Sequence, residues 1–336
     1  MDFATICVSL GFEPPEVIAG RASIAHLVRA SRRCGIYAFR FETGECYVGQ
    51  SLDVAARYVQ HRQRHRDIES FSFRSTAKRQ LGEAEAETIA RFEQAGFRLR
   101  NISLVSQPPI GGDFDQLFSR GWQHLWYLNP RYAARHSSRP LDLDQRHRFA
   151  DRWNRYRCMA SARALAAGLR AYVRQTIPDP AFTEATFWSV SLFPGTNDGR
   201  VVFRVNVYWQ EVFVAAADDL GCYFRFAVAP SHLPGRHAYR DGDTIDRWSA
   251  LSYFDLRYDS GGRDQAFVST PSVFALRDAL HSNELGRSAR RFVLRLMQKG
   301  TITRHRSRSH CPQAADLALS DTPFSALATC FPREVA

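Results

Sequence analysis

The chain has 336 residues, 45% of them hydrophobic and 24% charged, an ordinary globular composition that leaves room for two domains with separate cores. Its net charge of +11 is not ordinary and points to an anionic partner such as nucleic acid. No apolar run is long enough to span a bilayer, and the acidic, apolar start Met1–Gly20 lacks the basic region of a signal peptide, so no membrane partner is expected.

Arginine supplies nearly all the positive charge; Lys78 and Lys299 are the only lysines. A GC-rich coding sequence gives that bias, but arginine also provides the planar fork that suits phosphate. The 7 cysteines are scattered, with no Cys-x-x-Cys pair. That pattern argues against a disulfide framework or a structural zinc and fits a reducing, cytoplasmic setting.

Taken in order, residues 1–33 read as a short helical lead-in, with Ile24, Leu27 and Val28 at helical spacing. Cys34–Phe41 has a β pattern, Glu42-Thr43-Gly44-Glu45 a turn signal, and Cys46–Gly49 begins a returning strand. Tyr37 and Tyr47 therefore sit on one antiparallel hairpin. A two-residue loop puts them on opposite faces; a three-residue loop or a bulge puts them on the same face.

Ser51 or Asp53 can cap a helix from Val54, which sets Arg57 and His61 one turn apart on one side, with His65 extending the row. Such a histidine pair can bind metal, but no third ligand has matching spacing. In the next helix, Ala77–Glu93, Glu85 falls on the apolar stripe of Leu81, Ile89 and Phe92, whereas Glu83 and Glu87 face away. A carboxylate on a buried stripe needs a metal or a charged partner, Arg57 being one candidate.

Gln107-Pro108-Pro109-Ile110-Gly111-Gly112 breaks the pattern and marks a boundary. Asp113–Tyr127 then reads as one helix and Leu141–Thr176 as one or two more, with breaks between them at Asn129-Pro130 and Ser137–Pro140. Residues 113–176 carry 12 arginines against 5 aspartates, so +7 of the +11 lies here. Arg148, Arg152 and Arg155 line one stripe beside Phe149, Trp153 and Tyr156. Either this is an amphipathic helix with a solvated basic side, or it tracks phosphates.

Period-two runs follow at 186–193, 201–209, 211–216, 222–229 and 251–258, with turns such as Asn197-Asp198-Gly199, and predict a mostly antiparallel sheet. Two helices, Pro271–His281 and Glu284–Lys299, come next. The last segment opens with a basic, mobile stretch, Arg304–His310.

One stretch combines residue types, order and context: Gly35-Ile36-Tyr37, Tyr47-Val48-Gly49, Arg57 ten residues after Tyr47, His61, Glu85 with Ile89, and Asn101. It resembles the GIY-YIG endonuclease family over about 70 residues, roughly a fifth of the chain, as read from these motifs. The resemblance implies metal-dependent hydrolysis of phosphodiester bonds, with Mg2+ or Mn2+ as the cofactor. Glu85 is then the metal ligand, Tyr37 the general base or water orienter, and His61 its proton partner. Tyr47 bonds the phosphate or the water, Arg57 stabilises charge on the phosphate, and Asn101 ties the end of the module to the site. Arg62, Arg148, Arg152 and Arg155 are the expected nucleic-acid contacts.

Two departures stand out. No histidine lies near Phe73–Thr76, where some members of the family carry one. The module ends Arg98-Leu99-Arg100-Asn101 where the family usually has Pro-x-Tyr-Asn.

The expected fold class is α+β: a small nuclease domain at 34–105, with an antiparallel sheet flanked by helices, and a larger α+β domain. The expected divisions are a lead-in (1–33), the nuclease domain (34–105), a basic helical segment (106–176), an α+β domain for specificity or partner binding (177–303) and a tail (304–336). The expected function is a DNA endonuclease in restriction and defence, mobile-element or DNA-processing roles. RNA stays open as a substrate, and a homodimer is one route to a double-strand break. Two alternatives are a non-catalytic nucleic-acid-binding protein on a nuclease scaffold, and a nuclease gated by a ligand- or partner-sensing C-terminal domain.

Overall fold

The computed structural model describes residues 1–101, 103–108, 111–132, 139, 142–195, 200–219, 221–233, 244–245, 248–303 and 307–320. The chain is α+β, with two antiparallel sheets and their helices, and divides into two compact units. Unit 1 is Met1–Pro109 with Asp259–Arg263; unit 2 is Ile110–Tyr258 with Asp264–Ala336. The division falls inside the Gln107–Gly112 breaker. Residues 1–33 are part of unit 1 rather than a separate lead-in. Among the described residues, no helix is long and apolar enough to cross a membrane.

Unit 1 holds a four-stranded sheet in the order β1 (Glu16–Val17), β4 (Ile68–Ser75), β2 (Gly35–Phe41), β3 (Cys46–Ser51). Strand β2 is central and buried on both faces. One face carries Ile36, Ala38 and Val48 under α1 (Phe3–Ser9) and α3 (Leu81–Gln94). The other carries Tyr37, Phe39, Phe41, Phe71 and Phe73 under α2 (Val54–Arg64). Asp53 caps α2, its carboxylate accepting from the Ala55 and Ala56 amides. Gly35 is required by the close approach of β2 and β4, since a Cβ there would lie 2.1 Å from the Arg74 carbonyl.

The lead-in differs from expectation. Its α-helix is Phe3–Ser9, capped by Asp2, while residues 22–33 run as turns that end in a 3-10 turn at Ala30–Arg32. Ile24 and Val28 are buried as expected, but by docking on the sheet. The Ser23 hydroxyl takes the Ala25 amide, and Tyr58 donates to the Arg21 carbonyl, so local and tertiary bonds replace helical ones.

Unit 2 holds a seven-stranded antiparallel sheet in the order β5 (Trp188–Leu192), β6 (Val201–Val207), β7 (Gln210–Asp218), β8 (Gly221–Val228), β11 (Ala266–Thr270), β10 (Trp248–Phe254), β9 (Thr244–Ile245). Helices α8 (Ala162–Thr176), α9 (Val273–His281) and α10 (Leu285–Lys299) share its main core. Tyr172 of α8 stacks on Phe213 of β7 at 4.4 Å, and a Cβ on Gly168 would meet the Phe224 ring at 2.2 Å.

The expected helix 113–127 is two helices, α4 (Asp113–Leu117) and α5 (Arg120–Leu128), because the Ser119 hydroxyl caps a new start by accepting from the Trp122 amide. The stretch after 141 likewise breaks at Phe149, between α6 (Leu143–Arg148) and α7 (Ala150–Arg157). Residues 307–320 are not a loose basic tail. They include α11 (Pro312–Leu319), whose Ala314, Ala315, Leu317 and Ala318 are buried in the unit 2 core. The turn expected at Asn197-Asp198-Gly199 and residues 304–306 lie outside the described residues.

Candidate active site

The site is set by the β2–β3 hairpin. Phe41 and Glu45 close a three-residue loop: the Phe41 amide donates to the Glu45 carbonyl, and Gly44 takes φ +82°. Register pairs Tyr37 with Gly49 and Phe39 with Tyr47, so Tyr37 and Tyr47 share a face. Their rings stack at 6.1 Å. Gly49 leaves space for the Tyr37 side chain: a Cβ there would lie 2.4 Å from the phenol oxygen.

On α2, His61 Nε2 lies 2.8 Å from the Tyr37 hydroxyl, and Arg57 Nε donates to the same oxygen at 3.4 Å. With Arg57 donating to the phenol oxygen, the phenolic proton is available for His61 Nε2, the arrangement of the neutral imidazole protonated on Nδ1. Burial, with Arg57, His65 and Arg64 nearby, pushes the His61 pKa down to about 4. Burial also raises Tyr37 well above the ordinary phenol range, and Tyr47 in the same direction. Tyr37 is therefore a phenol at neutral pH; it is fully buried and is not among the described residues that line the cleft, with which it communicates through its bonds to His61 and Arg57.

Glu85 comes from α3, on the opposite side of the sheet, and reaches the cleft beside β3. Gln50 Nε2 donates to its Oε2 at 2.9 Å. Burial raises the Glu85 carboxyl, against the pull of Gln50 and Arg57, and Asp259 adds to the rise. Glu83 and Glu87 are exposed. A cleft of ≈ 640 Å³ is lined by Tyr47, Arg57, His61, Glu85 and Asn101, with Gln50, Arg64, His65, Arg100 and Asp259 among its other walls.

Asn101 is buried and acts on backbone. Its Oδ1 accepts from the Val48 amide at 3.0 Å and its Nδ2 donates to the Val48 carbonyl at 2.6 Å. It prolongs the parallel bridge Cys46↔Leu99, so residues 98–101 close the outer edge of β3 beside Tyr47. Arg100 is neutralised by Glu45 and Asp67, each at 2.7 Å, and lies over the Phe41 ring.

Three residues lay outside the sequence reading. Gln50 directly follows the Tyr-Val-Gly tripeptide, and Arg64 continues the α2 row past His61, so both had a local signal. Asp259 had none; it arrives from the far part of the chain, its carbonyl accepting from the Leu104 amide at 2.6 Å. Gly262 allows that docking, with φ +70° and no room for a Cβ beside Ser106.

The expected basic contacts divide. Arg62 does not line the cleft; its guanidinium turns to the Arg66 carbonyl at the end of α2. In unit 2, Arg148 and Arg152 line a second cleft, whereas Arg155 lies over the Phe193 ring outside it. The three do not share one helix, because the chain breaks at Phe149. Several arginines of the basic segment are engaged internally. Arg139 and Arg146 pair with Asp316, and Arg170 and Arg174 donate to the last carbonyls of α11.

No group of three or more metal-type side chains occurs among the described residues. Glu85 in its open cleft, with Asp259 also among the lining residues, instead offers the one or two carboxylates by which magnesium is usually held, with water and phosphate as its other ligands. Comparison with protein-family models, curated proteins and solved structures finds no match for the chain.

Proposed function

We propose that the protein is a metal-dependent DNA endonuclease and that unit 1 is a GIY-YIG nuclease module. The observation that carries this reading is the Tyr37–His61 pair at 2.8 Å, beside Arg57, in unit 1, whose cleft Arg57, His61, Tyr47 and Glu85 line together. A core role explains the burial of Tyr37, but not the lining of one cleft by Tyr47, Arg57, His61 and Glu85, where Glu85 bonds to Gln50 and Arg57 to Tyr37 and Gln60.

Glu85 would hold the Mg2+ or Mn2+ ion, which when bound polarises the phosphate and supports the leaving oxygen. The chain's own groups do the rest. Tyr37 would orient the attacking water and take its proton while passing the phenolic proton to His61 Nε2, a step that requires its buried hydroxyl to become reachable from the cleft beside His61 and Arg57. Arg57 stabilises charge building on the phosphate, and Tyr47 hydrogen-bonds to it. Asn101 keeps β3, and with it Tyr47, in register. A single cleft cuts one strand, so a double-strand break requires a homodimer or two successive nicks.

The test is nicking of supercoiled plasmid by purified protein with Mg2+ or Mn2+ and with chelator. Glu85→Ala is expected to lower the rate by about a thousandfold or more, as loss of metal and its electrostatic support does. Failure to cut any single-stranded, duplex, branched or RNA substrate with either metal overturns the reading.

A further inference from the structure

Unit 2 contains a second cleft of ≈ 630 Å³, within the size range of small-ligand sites. Its walls include Arg148 from the end of α6, Arg152 from α7, Arg204 and Asn206 from β6, Trp209 from the β6–β7 turn, and Arg308 from just before α11. No carboxylate is among its lining residues that the structure describes. Glu211 balances Arg204 at 2.9 Å, and Arg148, Arg152 and Arg308 are the other cationic groups among the described lining residues.

Trp209 is 49% exposed at the rim. It sits in a two-residue turn between the paired Val207 and Gln210. Tyr208 before it takes φ +51°, a region that bulky residues rarely enter, and is buried. The two rings stack at 5.0 Å and 10°. The turn thus holds a large aromatic outward at the cost of local strain, a trade that folds make mainly at working sites. On the floor, Ser191 and Asn206 are buried polar side chains. Arg152 is steadied by the Leu192 carbonyl at 3.3 Å.

We propose that this cleft binds an unpaired nucleotide of a nucleic-acid strand, its phosphate against Arg148, Arg152 and Arg308 and its base on Trp209. Guanidinium forks suit phosphate oxygens, and an indole face suits any base. A base inside a duplex has its faces covered by its neighbours, so Trp209 selects a base that has left the stack. A solvated basic surface would explain the arginines but not a half-exposed tryptophan held among them. The nuclease reading of unit 1 enters only in choosing a nucleic-acid strand over a free nucleotide.

The test is fluorescence anisotropy with a short mixed-sequence labelled single strand and the matching hairpin duplex. Chelator and the Glu85→Ala background keep binding separate from cleavage. The single strand is expected to bind more tightly than the duplex. Trp209→Ala should weaken single-strand binding about tenfold, within the range of one base–aromatic stack, and Trp209→Phe should restore most of it. Arg148→Ala with Arg152→Ala should weaken binding and lower the salt slope by up to about 0.7, the one single-strand phosphate contact that they share with Arg308.

Equal binding by wild type and Trp209→Ala overturns the proposal. So does duplex binding that depends equally on Trp209. Full competition by a mononucleotide at the oligonucleotide's own concentration overturns it in favour of a free-nucleotide site. A protein that binds in this way yet cuts nothing loses the nuclease reading and keeps this site. A protein that cuts, but whose single-strand binding ignores Trp209, does the reverse.

Discussion

His61 offers a sharp physical test of the site, because its proton affinity depends on the burial and charges around Tyr37. In the folded chain it should titrate near pH 4, against 6.5 for an ordinary histidine. Between these values the unfolded chain binds a proton that the folded chain refuses. Stability from this group is therefore fully present above about pH 6.5 and is lost as pH falls toward 4. Between pH 7 and pH 4.5 the loss is about 2 kcal/mol, from about 1.4 kcal/mol per pKa unit with the folded value at about 4.

The assay is an NMR titration of the 11 histidine Cε1 resonances, with His61→Gln used to assign the one that disappears. Amide exchange in β2 of wild type and His61→Gln, at both pH values, then reads stability within unit 1 alone. The variant should lose less stability on acidification, by about the same 2 kcal/mol. A His61 resonance that titrates between 6 and 7 in the folded protein refutes the reasoning, and so does identical acid sensitivity of the two chains.

Gly49→Ala places a methyl 2.4 Å from the Tyr37 oxygen and 3.0 Å from the Tyr47 ring, so overpacking should cost about 1–3 kcal/mol and cleavage should fall at least about a hundredfold, read by thermal melting and plasmid nicking. Asn101→Ala leaves the Val48 amide and carbonyl without their partners and should destabilise unit 1 by about 3 kcal/mol, visible as faster exchange at β3 amides. Asp259→Asn should weaken metal-dependent cleavage less than Glu85→Ala does, because Asp259 lines the cleft while Glu85 carries the bond to Gln50; equal losses would make the two carboxylates joint ligands.

Much of this site could be read in the sequence because its elements are local. Glu42-Thr43-Gly44-Glu45 already named a turn, and the three-residue loop it forms settles the face shared by Tyr37 and Tyr47. Arg57, His61 and Glu85 follow from helical spacing alone. The chemistry of Asn101 was less legible, since a side chain that completes a strand edge leaves no periodic trace. Strand β4 escaped notice even though Phe71, Ser72 and Phe73 alternate, because it lies between two stronger helical patterns.

In unit 2 the helices were overextended. Ser119 and Phe149 interrupt periodic runs, and a cap competes with continuation on energies of about 1 kcal/mol that spacing cannot weigh. Basic residues also misled at the C-terminal end. Arg304–His310 drew attention away from the small apolar residues that bury α11, while Arg139, Arg146, Arg170 and Arg174, seemingly free for phosphate, bind α11 instead. Asp259 depends on a long-range return of the chain and was out of reach of any local pattern.

In the proposed reaction Tyr37 moves the proton of the attacking water to His61. Single-turnover cleavage by Tyr37→Phe at saturating Mg2+, with DNA affinity measured alongside, tests it most directly. The expected rate is lower by about a hundred- to ten-thousandfold with affinity unchanged, the range of general-base catalysis. A Tyr37→Phe protein that cuts as fast as wild type would contradict it.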